Sequence, residues 1–277
     1  MIVVRITGGL GNQMFQYAFA RALQARGKKV CLQWHGQRRQ ERHNGWELDT
    51  VFEHPLSSKI KVANRSPLLN AAAWMLRKTN RKRESSNLGF NLEFLDTDRG
   101  YLDGYWQTEK YFLPLEETIR DDFCFKPLSG VQNLKLKERI ISEACVSVHI
   151  RRGDYLKIPG LGSVCTPDYY NKALNKMDEL SPGSTPVIFS DDMPFCRELL
   201  SGRDAVFVDW NQGLNSWMDM ALMSRCRHHI IANSSFSWWG AWLDQKKTGA
   251  VLAPSKWFAE TAGKTNPDIY QSGWIRI

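Results

Sequence analysis

No stretch of the 277-residue sequence approaches the roughly 18 consecutive apolar residues of a membrane-spanning helix. Its six cysteines, at positions 31, 124, 145, 165, 196 and 226, contain no C-x-x-C pair. That excludes zinc-ribbon and thioredoxin spacings and argues against a disulfide framework. Met1 is followed at once by Ile2-Val3-Val4-Arg5-Ile6 and then by glycines, too short an apolar stretch for a secretory signal. A reducing, cytoplasmic compartment is therefore expected. Two chemical signatures are also missing. Met14 stands where a dinucleotide fingerprint needs its third glycine, and no Gly-Lys-Ser/Thr completes a P-loop. The G-x-S-x-G elbow of serine hydrolases is absent as well.

What is present has the composition of a folded protein. Hydrophobic residues make up 43% and charged residues 24%, which excludes a disordered, collagen-like or coiled-coil chain. The length suits one large or two modest domains of about 150 residues each. The balance of 37 basic over 29 acidic residues, 37 − 29 = +8, points to an anionic partner: nucleic acid, a phosphorylated small molecule or an anionic membrane surface. Eleven tryptophans supply flat apolar faces that suit nucleobases and sugar rings as well as a core. The basic residues are scattered rather than interleaved with aromatics, which disfavours a nucleic-acid-binding module.

The first 35 residues read as strand, glycine loop, helix, strand. Phe15, Phe19, Ala22 and Leu23 recur at three- and four-residue spacing, giving one apolar stripe to lay on a sheet. Residues 36–100 are polar and hard to read, with a cluster Gln37-Arg38-Arg39-Gln40-Glu41-Arg42. Within them, residues 68–76 favour an amphipathic helix that runs into a basic stretch, residues 77–83. A solvated surface tail competes there with peripheral contact at the inner face of the membrane. A Pro- and Gly-containing stretch near residue 130 marks a boundary between an N-terminal α/β domain, 1–130, and a C-terminal one, 131–277. In the second, strands are expected around residues 146–150, 186–189, 205–208, 229–232 and 250–252, with helices at 169–180, 194–200 and 216–226. The fold class is α/β, with two halves of parallel sheet.

The strongest local signal is Ser147-Val148-His149-Ile150-Arg151-Arg152-Gly153-Asp154-Tyr155. Alternation along a strand puts His149 and Arg151 on one face, about 6.6 Å apart, at the carboxyl end where open α/β sheets bind ligands. An arginine there can fork onto phosphate oxygens and a histidine can hydrogen-bond a ribose or phosphate. The competing reading is a buried ion pair of Arg151 with Asp154. Ser190-Asp191-Asp192 follows a second strand, and either aspartate could accept from a guanine edge or ribose, or cap the next helix. Asn233-Ser234-Ser235-Phe236 opens a helix and forms an anion site of backbone N–H and hydroxyl groups. Trp242 and Trp239 behind it suit the core, although Trp238 and Trp239 also adjoin that loop. The glycine loop brings Gly11, Asn12 and Gln13 to a helix N-terminus. Asp96-Thr97-Asp98 is formally an Asp-x-Asp, the pattern by which metal-dependent sugar transferases hold a divalent ion.

Taken together, the blocks from Gly8 to Ala18, Gly104 to Phe112, His149 to Tyr155, Phe189 to Asp192 and Asn233 to Trp239 resemble the glycosyltransferase family 11 α-1,2-fucosyltransferases, especially bacterial members. The resemblance implies a GT-B-type architecture of two Rossmann-like halves. It also implies GDP-fucose as donor, a galactose-terminated and possibly lipid-linked glycan as acceptor, no metal or other cofactor, and inversion at the fucose anomeric carbon. It maps the β-phosphate contact onto Arg151, its companion onto His149 and the guanosine-side acid onto Asp191 or Asp192. The second phosphate loop falls on Ser234, Ser235 and Phe236, and the fucose approach on Gly11 and Asn12. Expected products are bacterial surface glycans of O-antigen type. The general base is unassigned among Asp103, Glu109, Asp154 and His149.

Overall fold

A computed structural model describes residues 1–35, 44–246 and 248–277. The cluster at positions 37–42 lies outside the described residues. The chain forms two compact units: Met1–Pro127 with Thr265–Ile269, and Leu128–Lys264 with Tyr270–Ile277. The boundary expected near residue 130 falls close to this division. The assignment of 265–269 to the first unit departs from the expected continuous C-terminal domain, and no pattern in those five residues announces it.

In the first unit, β1 (Ile2–Ile6) leads through the glycine loop into α1 (Leu10–Ala25) and then β2 (Val30–Trp34). Helix α1 buries Phe15, Phe19, Ala22 and Leu23, the expected stripe. It ends at Gly27, whose φ of 76° suits a residue without Cβ. Gly27 N–H donates to the Gln24 carbonyl and Lys28 N–H to the Leu23 carbonyl, the Schellman pattern that satisfies the last helical acceptors. Then follow α2 (Pro67–Thr79), β3 (Arg81–Arg83), α3 (Leu92–Leu95), β4 (Gly100–Asp103) and α4 (Glu116–Asp122). Ser66 caps α2, and Pro67 occupies its first turn. The sheet is parallel in order β2-β1-β4-β3, so apolar β1 is covered on both edges.

The basic stretch 77–83 is not a solvated tail. Arg77 and Lys78 close α2, while Arg81–Arg83 form the edge strand β3, where backbone pairing with β4 supplies the hydrogen bonds and edge position lets charged side chains reach water. Arg81 pairs with Asp103, and Lys82 donates to Thr97 Oγ1.

The second unit contains α5 (Val131–Ser142), β5 (Cys145–Ile150), α6 (Pro167–Leu180), β6 (Thr185–Ser190), α7 (Met193–Leu199) and β7 (Val206–Val208). It continues with α8 (Trp217–Met223), β8 (His228–Ile230), α9 (Ser235–Trp242), β9 (Val251–Ala253) and β10 (Ile275–Arg276). Its parallel sheet runs β10-β9-β8-β5-β6-β7. Each expected strand and helix is present, with ends shifted by at most three residues. Central β5 is buried at every position. Val146, Val148 and Ile150 pack with Tyr170, Leu174 and Met177 of α6 and with Ile188, Ile230 and Leu252 of neighbouring strands. All six cysteines are free. Among the described residues no helix is long and apolar enough to cross a membrane.

Candidate functional site

The register of the second sheet assembles the site. Ile150 at the end of β5 pairs with Ser190 at the end of β6, so the residues that follow, Arg151-Arg152 and Asp191-Asp192, emerge side by side. Arg151 Nη2 is 2.6 Å from Asp154 Oδ1, and its Nη1 is 2.9 Å from Asp191 Oδ2. Arg152 donates through its backbone N–H to Asp191 Oδ1 at 2.9 Å and through Nε to Asp192 Oδ2 at 3.0 Å. Its guanidinium lies 3.7 Å from the centroid of the Phe195 ring. Asp192 also accepts from Phe195 N–H and so caps α7. The cap reading thus holds for Asp192, which caps α7 through Oδ1 and meets Arg152 through Oδ2, while Asp191 meets both arginines. The Arg151–Asp154 pair is present too, with the Arg151 side chain 27% exposed at the sheet's carboxyl edge.

Two arginines face three carboxylates here, 2 − 3 = −1, so the guanidinium groups are held in place rather than left bare. A guanidinium carries five N–H donors, and the two carboxylates engage one Nη each. Donors remain on Arg151 for further oxygens. The close approach of Asp191 depends on Gly153, because a Cβ there would stand 2.5 Å from Asp191 Oδ2. We expect Gly153→Ala to push Asp191 away and misplace Arg151, lowering kcat/KM by about 10²-fold with little change in melting temperature. Steady-state kinetics beside a thermal melt checks this, and unaltered kinetics would contradict it.

His149 is buried, and its ring centroid lies 5.7 Å from that of Phe236. Burial first, and then the charge of Arg151, push its imidazole down to about 3. At neutral pH it is uncharged and can exchange hydrogen bonds but accepts a proton poorly. Nδ1 has no partner among the described residues. The depressed value makes folding proton-releasing. Below pH 6.5 the unfolded chain protonates this histidine while the fold keeps it neutral, so stability falls as pH drops from 6.5 toward 3. Between pH 6.5 and 5 the wild type should lose about 1.5–2 kcal/mol more than His149→Asn. Urea unfolding at both pH values measures this, and equal losses would refute it.

Strand β8 adjoins β5, which brings the start of α9 beside His149. Ser234 accepts from Phe236 N–H and caps α9, while Ser235 and Phe236 are half-buried in its first turn. The Tyr155 hydroxyl is pushed up by burial, an effect opposed by Arg151 and by a hydrogen bond with Ser234. Asn233 is structural: its Nδ2 donates to the carbonyls of Leu161 and Trp257. Trp238, Trp239 and Trp242 are all buried against one another, so Trp238 and Trp239 belong to the core and not to a ligand face.

The first unit holds the glycine loop. Gly8 has φ 83°, and a Cβ on it would meet Asn12 Nδ2 at 2.8 Å. Gly11 is buried and Asn12 half-buried, with Asn12 Oδ1 accepting from Gln107 Nε2 at 2.8 Å. Gln13 is not available to a ligand as expected. It is fully buried, donates to the carbonyls of Gly8 and Gly45, and accepts from Glu47 N–H. The helix N-terminus already has an acceptor, because the Glu47 side chain accepts from Leu10 N–H; burial pushes the Glu47 pKa up. Glu84 plays a similar part in the 104–112 loop by accepting from the N–H groups of Tyr105 and Trp106. It supports Trp106 at φ 55°. Trp106 is buried and stacked on Phe19, so it too is core. Neither glutamate carries a sequence signal, since each acts by a side-chain contact that only the folded chain creates.

Asp96 and Asp98 do not converge. Asp96 Oδ1 lies 2.6 Å from Arg26 Nη2, and Asp98 pairs with Lys28. No cluster of three metal-ligating side chains occurs among the described residues. Of the other base candidates, Asp103 is raised by burial, but hydrogen bonds from Arg5 and Arg81 outweigh this and hold it below the usual carboxylate range. Asp154 is engaged by Arg151, and Glu109 lies in the first turn after the Thr108 cap. Ser147, His229 and Asp244 superficially suggest a hydrolase triad, with Ser147 Oγ 2.8 Å from His229 Nδ1. All three are buried, which closes that arrangement to substrate.

Comparison with known proteins places the sequence in a family. The model described as glycosyl transferase family 11 covers residues 1–277. An alpha-1,2-colitosyltransferase of Escherichia coli is 34% identical over 100% of this chain and 99% of its own length. The O-antigen biosynthesis glycosyltransferase WbnK of Escherichia coli is 32% identical over 98% and 99%. Galactoside alpha-(1,2)-fucosyltransferase 1 of Saimiri boliviensis boliviensis is 29% identical over 85% of this chain and 63% of its own. Among solved structures, the NodZ alpha-1,6-fucosyltransferase soaked with GDP-fucose superposes with a TM-score of 0.52 at 17% identity, covering 87% of this chain and 91% of that one.

Proposed function

Because the chain belongs to glycosyl transferase family 11, we propose that it transfers L-fucose from GDP-fucose to the 2-hydroxyl of a terminal β-galactoside, with inversion and without a metal ion, during surface-glycan synthesis of O-antigen type. The observation that supports this most is Arg151, held by Asp154 and Asp191 at the carboxyl end of β5 and close to His149 and the first turn of α9. In the proposed reaction the acceptor oxygen bonds to fucose C1 as the C1–oxygen bond to the β-phosphate breaks. The bonding pair goes to the phosphate oxygen, and the hydroxyl proton is released. Negative charge builds on the leaving diphosphate, so the group that matters is a fixed cation with donors to spare, which Arg151 provides. Ser234, Ser235 and the N–H groups of the same turn add donors. Neutral His149 supplies a hydrogen bond without adding charge.

The colitosyltransferase relative favours a second reading of the donor sugar, transfer of colitose. One assay separates the possibilities: release of GDP from GDP-fucose or GDP-colitose, with a panel of terminal galactosides, in EDTA. The proposal expects acceptor-dependent release from GDP-fucose that EDTA leaves intact. Release from GDP-colitose alone would reassign the donor. Strict dependence on added Mn²⁺ would overturn metal independence and return attention to Asp96 and Asp98.

A further inference from the structure

A cavity of about 470 Å³ in the first unit contains none of the residues assigned above to the donor. It lies at the carboxyl end of β2 and is lined there by Gln33 and His35. Asn70, Trp74 and Arg77 face it from α2. Those three sit at i, i+4 and i+7, on one face of the helix. Carboxyl ends of parallel strands are where such sheets take ligands.

The hydrogen bonds of the lining are lopsided. Asn70 Oδ1 already accepts from Gln33 Nε2 at 2.8 Å, and Gln33 Oε1 is paired with His35 Nε2 at 3.1 Å. Asn64, also in the lining, spends both ends of its amide on the backbone of Trp34. What is left is donating capacity: the Asn70 amide hydrogens and the Arg77 guanidinium, which has no ion-pair partner among the described residues. Arg5, the register neighbour of Gln33, is already matched by its ion pair with Asp103, so Arg77 is the cation that the lining leaves for a ligand. Burial first, then Arg77 and Arg5, push the His35 imidazole down, with Asp103 opposing them. Trp74 is 56% exposed, a flat apolar face beside these donors, and Lys78 Nζ lies 4.1 Å from its ring centroid. The amide and guanidinium donors call for a ligand rich in oxygen lone pairs. A free guanidinium calls for an anionic group, and an aromatic face calls for a ring with apolar edges.

We infer that this cavity binds a saccharide unit bearing a carboxylate or phosphate, with the sugar ring on Trp74 and the anionic group on Arg77. The inference rests on the glycosyltransferase reading in taking that unit as part of the acceptor glycan. A concave, one-ring volume with convergent donors favours a saccharide over a membrane surface, which would engage α2 through exposed Leu68 and Met75.

The test is calorimetric titration of the full chain, without donor, using methyl β-D-glucuronide, its methyl ester, methyl β-D-glucoside and glucose 1-phosphate. Both anionic probes should bind about tenfold or more tightly than the two neutral ones, and Arg77→Gln should abolish that preference. Trp74→Ala should weaken all four. Repeating the titration in Arg151→Ala keeps phosphate binding at the donor residues from being mistaken for this site, and the preference should persist there. Equal binding of glucuronide and ester, or an unchanged preference in Arg77→Gln, would overturn the inference. So would sedimentation with phosphatidylglycerol vesicles that is lost in Arg77→Gln while no saccharide binds. Absence of GDP release from any sugar nucleotide, with glucuronide binding intact, would instead count against the glycosyltransferase reading.

Discussion

Arg151→Ala is expected to lower kcat for GDP release by about 10²–10³-fold while leaving the melting temperature nearly unchanged, because it removes the donor set aimed at the leaving group. The side chain is only partly buried and its removal leaves no apolar cavity, so a folding defect is not expected. Asp154 and Asp191 would each lose a partner, but both reach solvent, which limits the cost. Arg151→Lys should recover little of the rate, since one ammonium cannot hold both carboxylates and a diphosphate in the same plane. Full activity in Arg151→Ala, with a folded protein, would remove this residue from the mechanism.

A second large effect concerns stability alone. Asp219 of α8 accepts from Asn211 Nδ2 at 2.9 Å, and Asn211 also bonds to Asn133, which in turn accepts from Trp210 Nε1. Burial pushes the Asp219 carboxyl up to about 8, against which the Asn211 hydrogen bond acts only partly. A raised folded-state pKa means that the protonated acid is the form the fold accommodates. Stability from this group is complete below the unfolded value near 4 and is lost as pH rises toward 8. Asp219→Asn keeps the shape and the acceptor without the charge. Between pH 5 and 8 the wild type should lose about 3.5 kcal/mol relative to the variant. Denaturant unfolding at the two pH values reads this directly, and parallel curves would show that Asp219 is ionised in the fold without penalty.

The second unit was legible in the sequence because its strands are short, apolar, β-branched runs whose polar neighbours begin where the strand ends. Val146, Val148 and Ile150 announce β5, and the change from Ile150 to Arg151-Arg152 marks the sheet edge where the site lies. The pairing of Arg151 with Asp191, by contrast, needs the β5–β6 register, which no local pattern encodes. Much of the first unit resisted reading for a different reason. Strand β3 is Arg81-Lys82-Arg83, a strand with no apolar residue, stabilised by backbone pairing at an edge and by Asp103. Glu47 and Glu84 belong to no local pattern, yet each accepts from backbone N–H brought near by the fold. The tryptophans misled in the opposite direction. Trp106 and Trp238 sit inside recognisable motifs, but their burial makes those motifs partly core. The exposed Trp74, in a segment that belongs to none of the motifs, is the aromatic that faces a cavity.

The positive charge divides in a similar way. Arg151 and Arg152 are matched by acids at the carboxyl edge of β5 and β6, whereas Arg77 is unmatched among the described residues of the first unit. Net charge alone could not separate a cation fixed in place by carboxylates from one left to meet a ligand.

The central claim is tested most directly by NMR of the product formed from GDP-β-L-fucose and a terminal β-galactoside. The account predicts a fucose of α-anomeric configuration bonded to O2 of the galactose. A β-linked fucose, or attachment at any other galactose oxygen, would contradict it.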